Sequence, residues 1–242
     1  MLRRLFLACA AVVCALPAWA APNEGSLLVA AGAGYRRPVL QLLEDFSRSS
    51  GIRAEASFGN MKQVETQARQ NPDIALLIGD KAFLEPMGLA ERFTLLGKGR
   101  LVLVTREGLE LKDIADLREP RFARIALPDR VKAVYGNAAT TCLQRTGLAE
   151  PLAARLLEVA TVPQVGAYVA TGEVDAGFVN VTEGQALQGR IGTLIEAPQH
   201  CYAPIELSAG VLKGRGEQPA VRAFVEYLAS PAARAVLQRH GM

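Results

Sequence analysis

The stretch VPQVGAYVATGEVDAGFVNVT, residues 162–182, decides the fold. VPQVGAYVATGE reads as a helix that stops at Gly172, where the chain needs a sharp turn. VDAGFVNVT then reads as a buried strand, opened by Asp175 and Gly177, that runs out into a polar end at Asn180. A helix feeding a strand, with the strand ending in a polar turn, is the repeating unit of an open α/β sheet. Ligands of such sheets sit beyond the strand ends, where the next helices begin.

The same unit recurs on both sides of that stretch. SLLVAAGAG (26–34) predicts a strand ending in a glycine turn, and RPVLQLLEDFSRSSG (37–51) an amphipathic helix with Pro38 near its start. IRAEASFG (52–59), DIALLIGD (73–80), GRLVLVTREG (99–108), RFARIALP (121–128) and PIELSAGVLKG (204–214) predict further strands. NMKQVETQARQ (60–70), LKDIADLREP (111–120), YGNAATTCLQRTG (135–147) and PLAARLLEVA (151–160) predict helices. The final PAVRAFVEYLASPAARAVLQRHG (219–241) predicts a helix broken at Pro231. This alternation implies mainly parallel sheets with helices on both faces, and no internal repeat or low-complexity linker interrupts it.

Composition bounds the function. The chain has 242 residues, half of them hydrophobic, enough for one large or two modest cores. A net charge of +3, with no basic block or aromatic-basic interleaving, argues against nucleic acid as a partner. MLRRLFLACAAVVCALPAWA opens with two arginines, continues with an apolar run and closes on Ala18-Trp19-Ala20. It predicts a secretory leader, residues 1–20, cut after Ala20 in a protein bound for the periplasm. Cys9 and Cys14 leave with the leader, so Cys142 and Cys201 remain for an oxidising compartment. A disulfide between them is the simplest expectation, and two separate buried thiols the alternative. The two histidines, His200 and His240, cluster with no other ligand type at metal spacing, and no nucleophile elbow, phosphate loop or zinc motif occurs. No catalytic residue, metal or cofactor is therefore expected.

Order and spacing of the motifs point further. GRLVLV (99–104), IALPD (125–129) followed by YGNAATTCLQRTGL (135–148), VATGEVDAGFVNVT (169–182), PIELSAGVLKG and LASPAARAVLQRHG (228–241) together resemble the molybdate-binding proteins of bacterial ABC importers. The likeness runs from about Ser26 to the C-terminus. It implies a two-lobed receptor with a discontinuous first lobe, residues 25–98 plus 205–242, and a second lobe, residues 99–204. The chain would cross between lobes twice, and the lobes would close by hinge motion on the ligand. It also implies a monomer that hands a tetrahedral oxyanion to a membrane permease.

The resemblance carries over Tyr135-Gly136 and Val162 as backbone donors. Three hydroxyl-bearing positions of the family are replaced here, by Gly34, by Asn60 in the turn Gly59-Asn60-Met61-Lys62, and by Asn180. What remains is still rich in donors. Helix-start N–H groups at Gly34-Tyr35, Asn60-Met61 and Tyr135-Gly136 suit an anion without a counter-cation, Gly59 lets backbone approach closely, and the amides of Asn60 and Asn180 add side-chain donors. Other functions stay open at this point: a receptor for another small anion or a metal chelate, or a periplasmic thiol protein using Cys142, Cys201 and His200.

Overall fold

The computed structural model describes residues 25–242; the expected leader, with Cys9 and Cys14, lies outside them. The chain begins with β1 (Leu27–Gly32), α1 (Arg36–Ser50), β2 (Ala54–Gly59), α2 (Met61–Gln70), β3 (Ile74–Asp80), the single turn α3 (Lys81–Leu84) and β4 (Ala90–Gly99). It continues through β5 (Leu101–Thr105), β6 (Ile125–Pro128), α4 (Val134–Arg145) and the single turn α5 (Ala149–Leu152). β7 (Leu156–Val159), α6 (Val162–Ala170), β8 (Ala176–Asn180), α7 (Val181–Ala186) and β9 (Leu194–Glu196) follow. β10 (Ile205–Leu212), α8 (Pro219–Leu228) and α9 (Pro231–Arg239) end the chain.

Two five-stranded sheets result, ordered β2-β1-β3-β10-β4 and β7-β6-β8-β5-β9. They form the cores of two lobes. The chain crosses from the first sheet to the second at Arg100, between β4 and β5, and returns between Glu196 and Ile205. Helices lie against both sheets, so β3, β5 and β8 are buried along their whole length. Each sheet is mixed. β1 pairs in parallel with β2 and β3, and β6 with β7 and β8, while β10 and β5 pair antiparallel with both their neighbours. The parallel half of each sheet is the part expected from strand–helix alternation. The antiparallel half comes from the two strands that return from the other lobe.

Sequence patterning accounts for the helices that position the cleft. Val39, Leu42, Leu43 and Phe46 make one buried face of α1, and Gly51, at φ 74°, ends it in a left-handed turn. Phe46 meets Phe224 of α8 edge to face at 5.0 Å, which ties the C-terminal helices to the first lobe. Register does the rest. Gly32 of β1 stands beside Gly59 of β2, and Pro128 of β6 beside Val159 of β7. Each lobe therefore ends two parallel strands side by side, and two helices start from that edge.

Two local expectations change, and two strands were not foreseen. PLAARLLEVA is not one helix: α5 and a 3-10 turn lead into β7, whose Leu156–Val159 pairs with β6 at the sheet edge. Leucine-rich runs fit either period, and pairing with β6 settles this one as strand. LKDIADLREP holds a 3-10 turn, Ile114–Arg118, rather than an α-helix, opened by a capping box between Asp113 and Asp116. β4 and β9 carry no clear period in the sequence. In β4 the register against β10 slips twice, which breaks the alternation that would have marked it.

Candidate functional site

The edges of the two lobes face each other across a cleft. Gly32, Ala33, Gly34, Tyr35, Gly59 and Asn60 line it from the first lobe, continued by Met61 at the start of α2. Ala133, Val134, Tyr135, Thr161 and Val162 line it from the second. The space open to the centre of a water molecule is about 20 Å³, where roughly 10–15 Å³ admits one water on the same measure. This small cavity suits a ligand of few heavy atoms, and no charged side chain lines it.

Seven of the nine residues expected from sequence meet here: Gly34, Tyr35, Gly59, Asn60, Met61, Tyr135 and Val162. Gly136 and Asn180 stand just behind the wall. Gly136 packs against the carbonyls of Pro128 and Asp129 so closely that any side chain there would displace them. Ala33, Ala133, Val134, Gly32 and Thr161 were not foreseen. Thr161 left a signal, a hydroxyl residue directly before the helix start Val162-Pro163.

The donors divide into free and committed groups. In α4 the first N–H to close onto the helix is that of Asn137, to Ala133 O at 3.0 Å. Val134, Tyr135 and Gly136 thus keep N–H groups without a helical acceptor. In α6 the first is Val165 to Thr161 O at 3.3 Å, which leaves Val162 N–H. Thr161 occupies the N-cap of α6 without making a side-chain cap bond. These groups and the turn at Ala33-Gly34 bring positive helix ends to the cavity.

The start of α2 differs from expectation. Asn60 Oδ1 accepts Gln63 N–H at 3.0 Å, and Gln63 Oε1 accepts Asn60 N–H at 2.9 Å, a complete capping box. Met61 N–H donates across the cleft to Lys132 O at 2.8 Å. The backbone N–H groups of Asn60 and Met61 are therefore spent within the protein, whereas the Nδ2 amide of Asn60, on the cavity wall, donates to no group of the protein. Gly59 has a local reason as well: a Cβ there would stand 2.7 Å from Gln63 Cβ, inside the capping box. Lys62 faces solvent and pairs with Glu65 at 2.9 Å, Arg36 stacks on Phe58, and Arg37 approaches Glu183 at 3.8 Å.

Two tyrosines close the cavity. Tyr35 donates its hydroxyl to that of Tyr135 at 3.2 Å, with the rings edge to face. Burial pushes both phenols above the usual tyrosine value, so both stay neutral at neutral pH. Cys142 of α4 and Cys201, in the 3-10 turn Gln199–Cys201, form a disulfide with Cα atoms 4.4 Å apart. Both cysteines are fully buried, which suits a structural staple rather than thiol chemistry.

The family of bacterial extracellular solute-binding proteins matches over residues 27–242. The molybdate-binding protein ModA of Azotobacter vinelandii is 30% identical over 250 residues, covering 99% of this chain and 97% of that protein. The solved structure described as the periplasmic molybdate-binding protein of Azotobacter vinelandii superposes with a TM-score of 0.81 at 25% identity, covering 89% of this chain and 98% of that one. An aconitate isomerase of a Pseudomonas species is 24% identical, covering 96% of this chain and 93% of the enzyme.

Proposed function

The chain belongs to the bacterial extracellular solute-binding protein family, and on that premise we propose that it is the periplasmic receptor of an ABC importer for a compact tetrahedral oxyanion, molybdate or tungstate. The observation that carries this reading is the convergence of helix starts from both lobes on a small cavity without a charged wall. Such a site is rich in N–H donors, and the hydroxyls on its wall can donate as well. The side-chain oxygens of Asn60 and Asn180 are already taken, by Gln63 N–H and Glu183 N–H. A fully ionised oxyanion supplies a lone pair to every donor, which a protonated one does not. The protein is exported by a leader cut after Ala20, acts as a monomer and delivers its ligand to a membrane permease without transforming it. Nucleic acid plays no part. Its lobes comprise residues 25–98 plus 205–242 and residues 99–204, hinged where the chain crosses.

A second reading, isomerisation of a tricarboxylate, is raised by the aconitate isomerase relative. Proton abstraction needs a base near the operating pH. The titratable side chains that line the cavity are the two neutral, mutually bonded phenols, and the space is small for a six-carbon acid. Thermal unfolding against molybdate, tungstate, sulfate, phosphate and aconitate separates the two. A ligand at one hundred times its dissociation constant adds about 2.7 kcal/mol of stability. Molybdate or tungstate should raise the midpoint most. Stabilisation by aconitate alone, with turnover, would replace the receptor reading.

A further inference from the structure

Asn180 ends β8 behind the cavity wall and is fully buried. The two ends of its amide are committed in different directions. Oδ1 accepts the N–H of Glu183 at 3.0 Å, which caps α7 within the second lobe. Nδ2 donates to Gly34 O at 2.8 Å, across the cleft to the first lobe. The partners fix the amide's orientation, because a peptide N–H only donates and a carbonyl only accepts; turned over, it would face like to like at both ends. The Gly34 turn is fitted to this contact, since a Cβ there would stand 3.2 Å from Nδ2.

We propose that Asn180 is a ligand-independent clasp, a positioning residue that holds the cleft closed by bonding Gly34 O rather than by touching the ligand. The proposal rests on the two-lobed receptor reading. Other direct contacts join the two lobes: Tyr35 to Tyr135, Met61 N–H to Lys132 O, the Thr182 hydroxyl to His240 O at 3.0 Å, and the Arg37–Glu183 ion pair at 3.8 Å. None of them needs a ligand atom. Part of the closing free energy is therefore built into the chain, and the ligand-free receptor is biased toward the closed state. Ligand that enters through the open state then binds in proportion to a reduced open fraction, and it leaves more slowly once inside.

Asn180→Ser tests the clasp. Serine caps a helix as well as asparagine, so α7 keeps its start, but the shorter side chain cannot span to Gly34 O. Asn180→Asp keeps cap and shape while placing an oxygen where the donor was. Small-angle scattering of the ligand-free proteins should show both variants expanded relative to the parent. With molybdate as the probe, Asn180→Ser should speed both association and dissociation by about three- to tenfold, the size of one net hydrogen bond. Faster dissociation with unchanged association and unchanged scattering would make Asn180 a ligand donor and overturn the clasp. A lowered thermal midpoint with scattering and both rates unchanged would reduce it to a helix cap and overturn it equally. The scattering comparison uses no ligand, so it decides the clasp even if the parent protein binds no molybdate.

Discussion

Asn60 follows β2 and Asn180 ends β8, and a buried polar side chain at a strand end needs a partner. Which partner was not legible. Gln63 lies three residues from Asn60 and completes a local box, but Gly34 reaches Asn180 only through the packing of two lobes. Thr161 is the converse case. It lines the cavity from the N-cap of α6, and its hydroxyl makes no cap bond. It adds a side-chain donor on the second-lobe wall, opposite the Asn60 amide of the first, where the backbone N–H groups of Asn60 and Met61 are already spent. Thr161→Val keeps the shape and removes the hydroxyl. Molybdate affinity should fall by about 0.5–1.5 kcal/mol, as one net hydrogen bond is lost. Calorimetric titration reads that change directly, and an unaltered affinity would leave backbone groups as the sole donors on the α6 side.

At the scale of elements, the strands inside each sheet were visible, and most of those at the sheet edges were less so. β1, β3, β5 and β8 are continuous apolar runs because helices cover both faces, a pattern that survives without knowledge of the partner strand. β4, β7 and β9 lie at or near sheet edges, where half-exposed residues and register slips erase the period. The stretch VPQVGAYVATGEVDAGFVNVT, residues 162–182, shows how one element is anchored. Asp175, just before β8, accepts Arg106 Nε at 2.9 Å and Arg124 N–H at 2.9 Å, joining the ends of three strands. Burial alone would raise its carboxyl, but the Arg106 and Arg124 bonds outweigh it and hold the pKa below the ordinary value. A carboxyl depressed in the folded state stabilises the fold above its unfolded pKa of about 3.9 and loses that contribution as pH falls through the folded value. The parent protein should therefore lose stability in acid below about pH 4, and Asp175→Asn should show a shallower acid slope. Denaturant unfolding at pH 7 and pH 3 measures both. At pH 7 the variant should be less stable by about 1–3 kcal/mol, the range for losing a charged hydrogen bond.

At the scale of the whole molecule, the disulfide and the cleft belong to opposite ends of one helix. Tyr135 stands in the first turn of α4 at the cavity, and Cys142 lies seven residues on, about 10 Å along the axis. Cys201 sits beside the second crossing between lobes, so the bond pins α4 to the chain just before it returns to the first sheet. It closes a loop across 59 residues, for which chain-entropy reasoning gives about 4 kcal/mol of stabilisation through the unfolded state. That stabilisation acts on the fold rather than on the cavity. The helix start is held separately, by Gly136 against the Pro128 and Asp129 carbonyls and by the Tyr135 hydroxyl against Tyr35. Reduction should therefore lower the thermal midpoint while leaving the molybdate-induced rise nearly unchanged. Thermal unfolding with and without a reductant, each with and without molybdate, gives the four midpoints required. If the molybdate-induced rise vanished on reduction, the bond would be orienting α4 toward the ligand, and the stability of the lobe and the geometry of its binding edge would be one property instead of two.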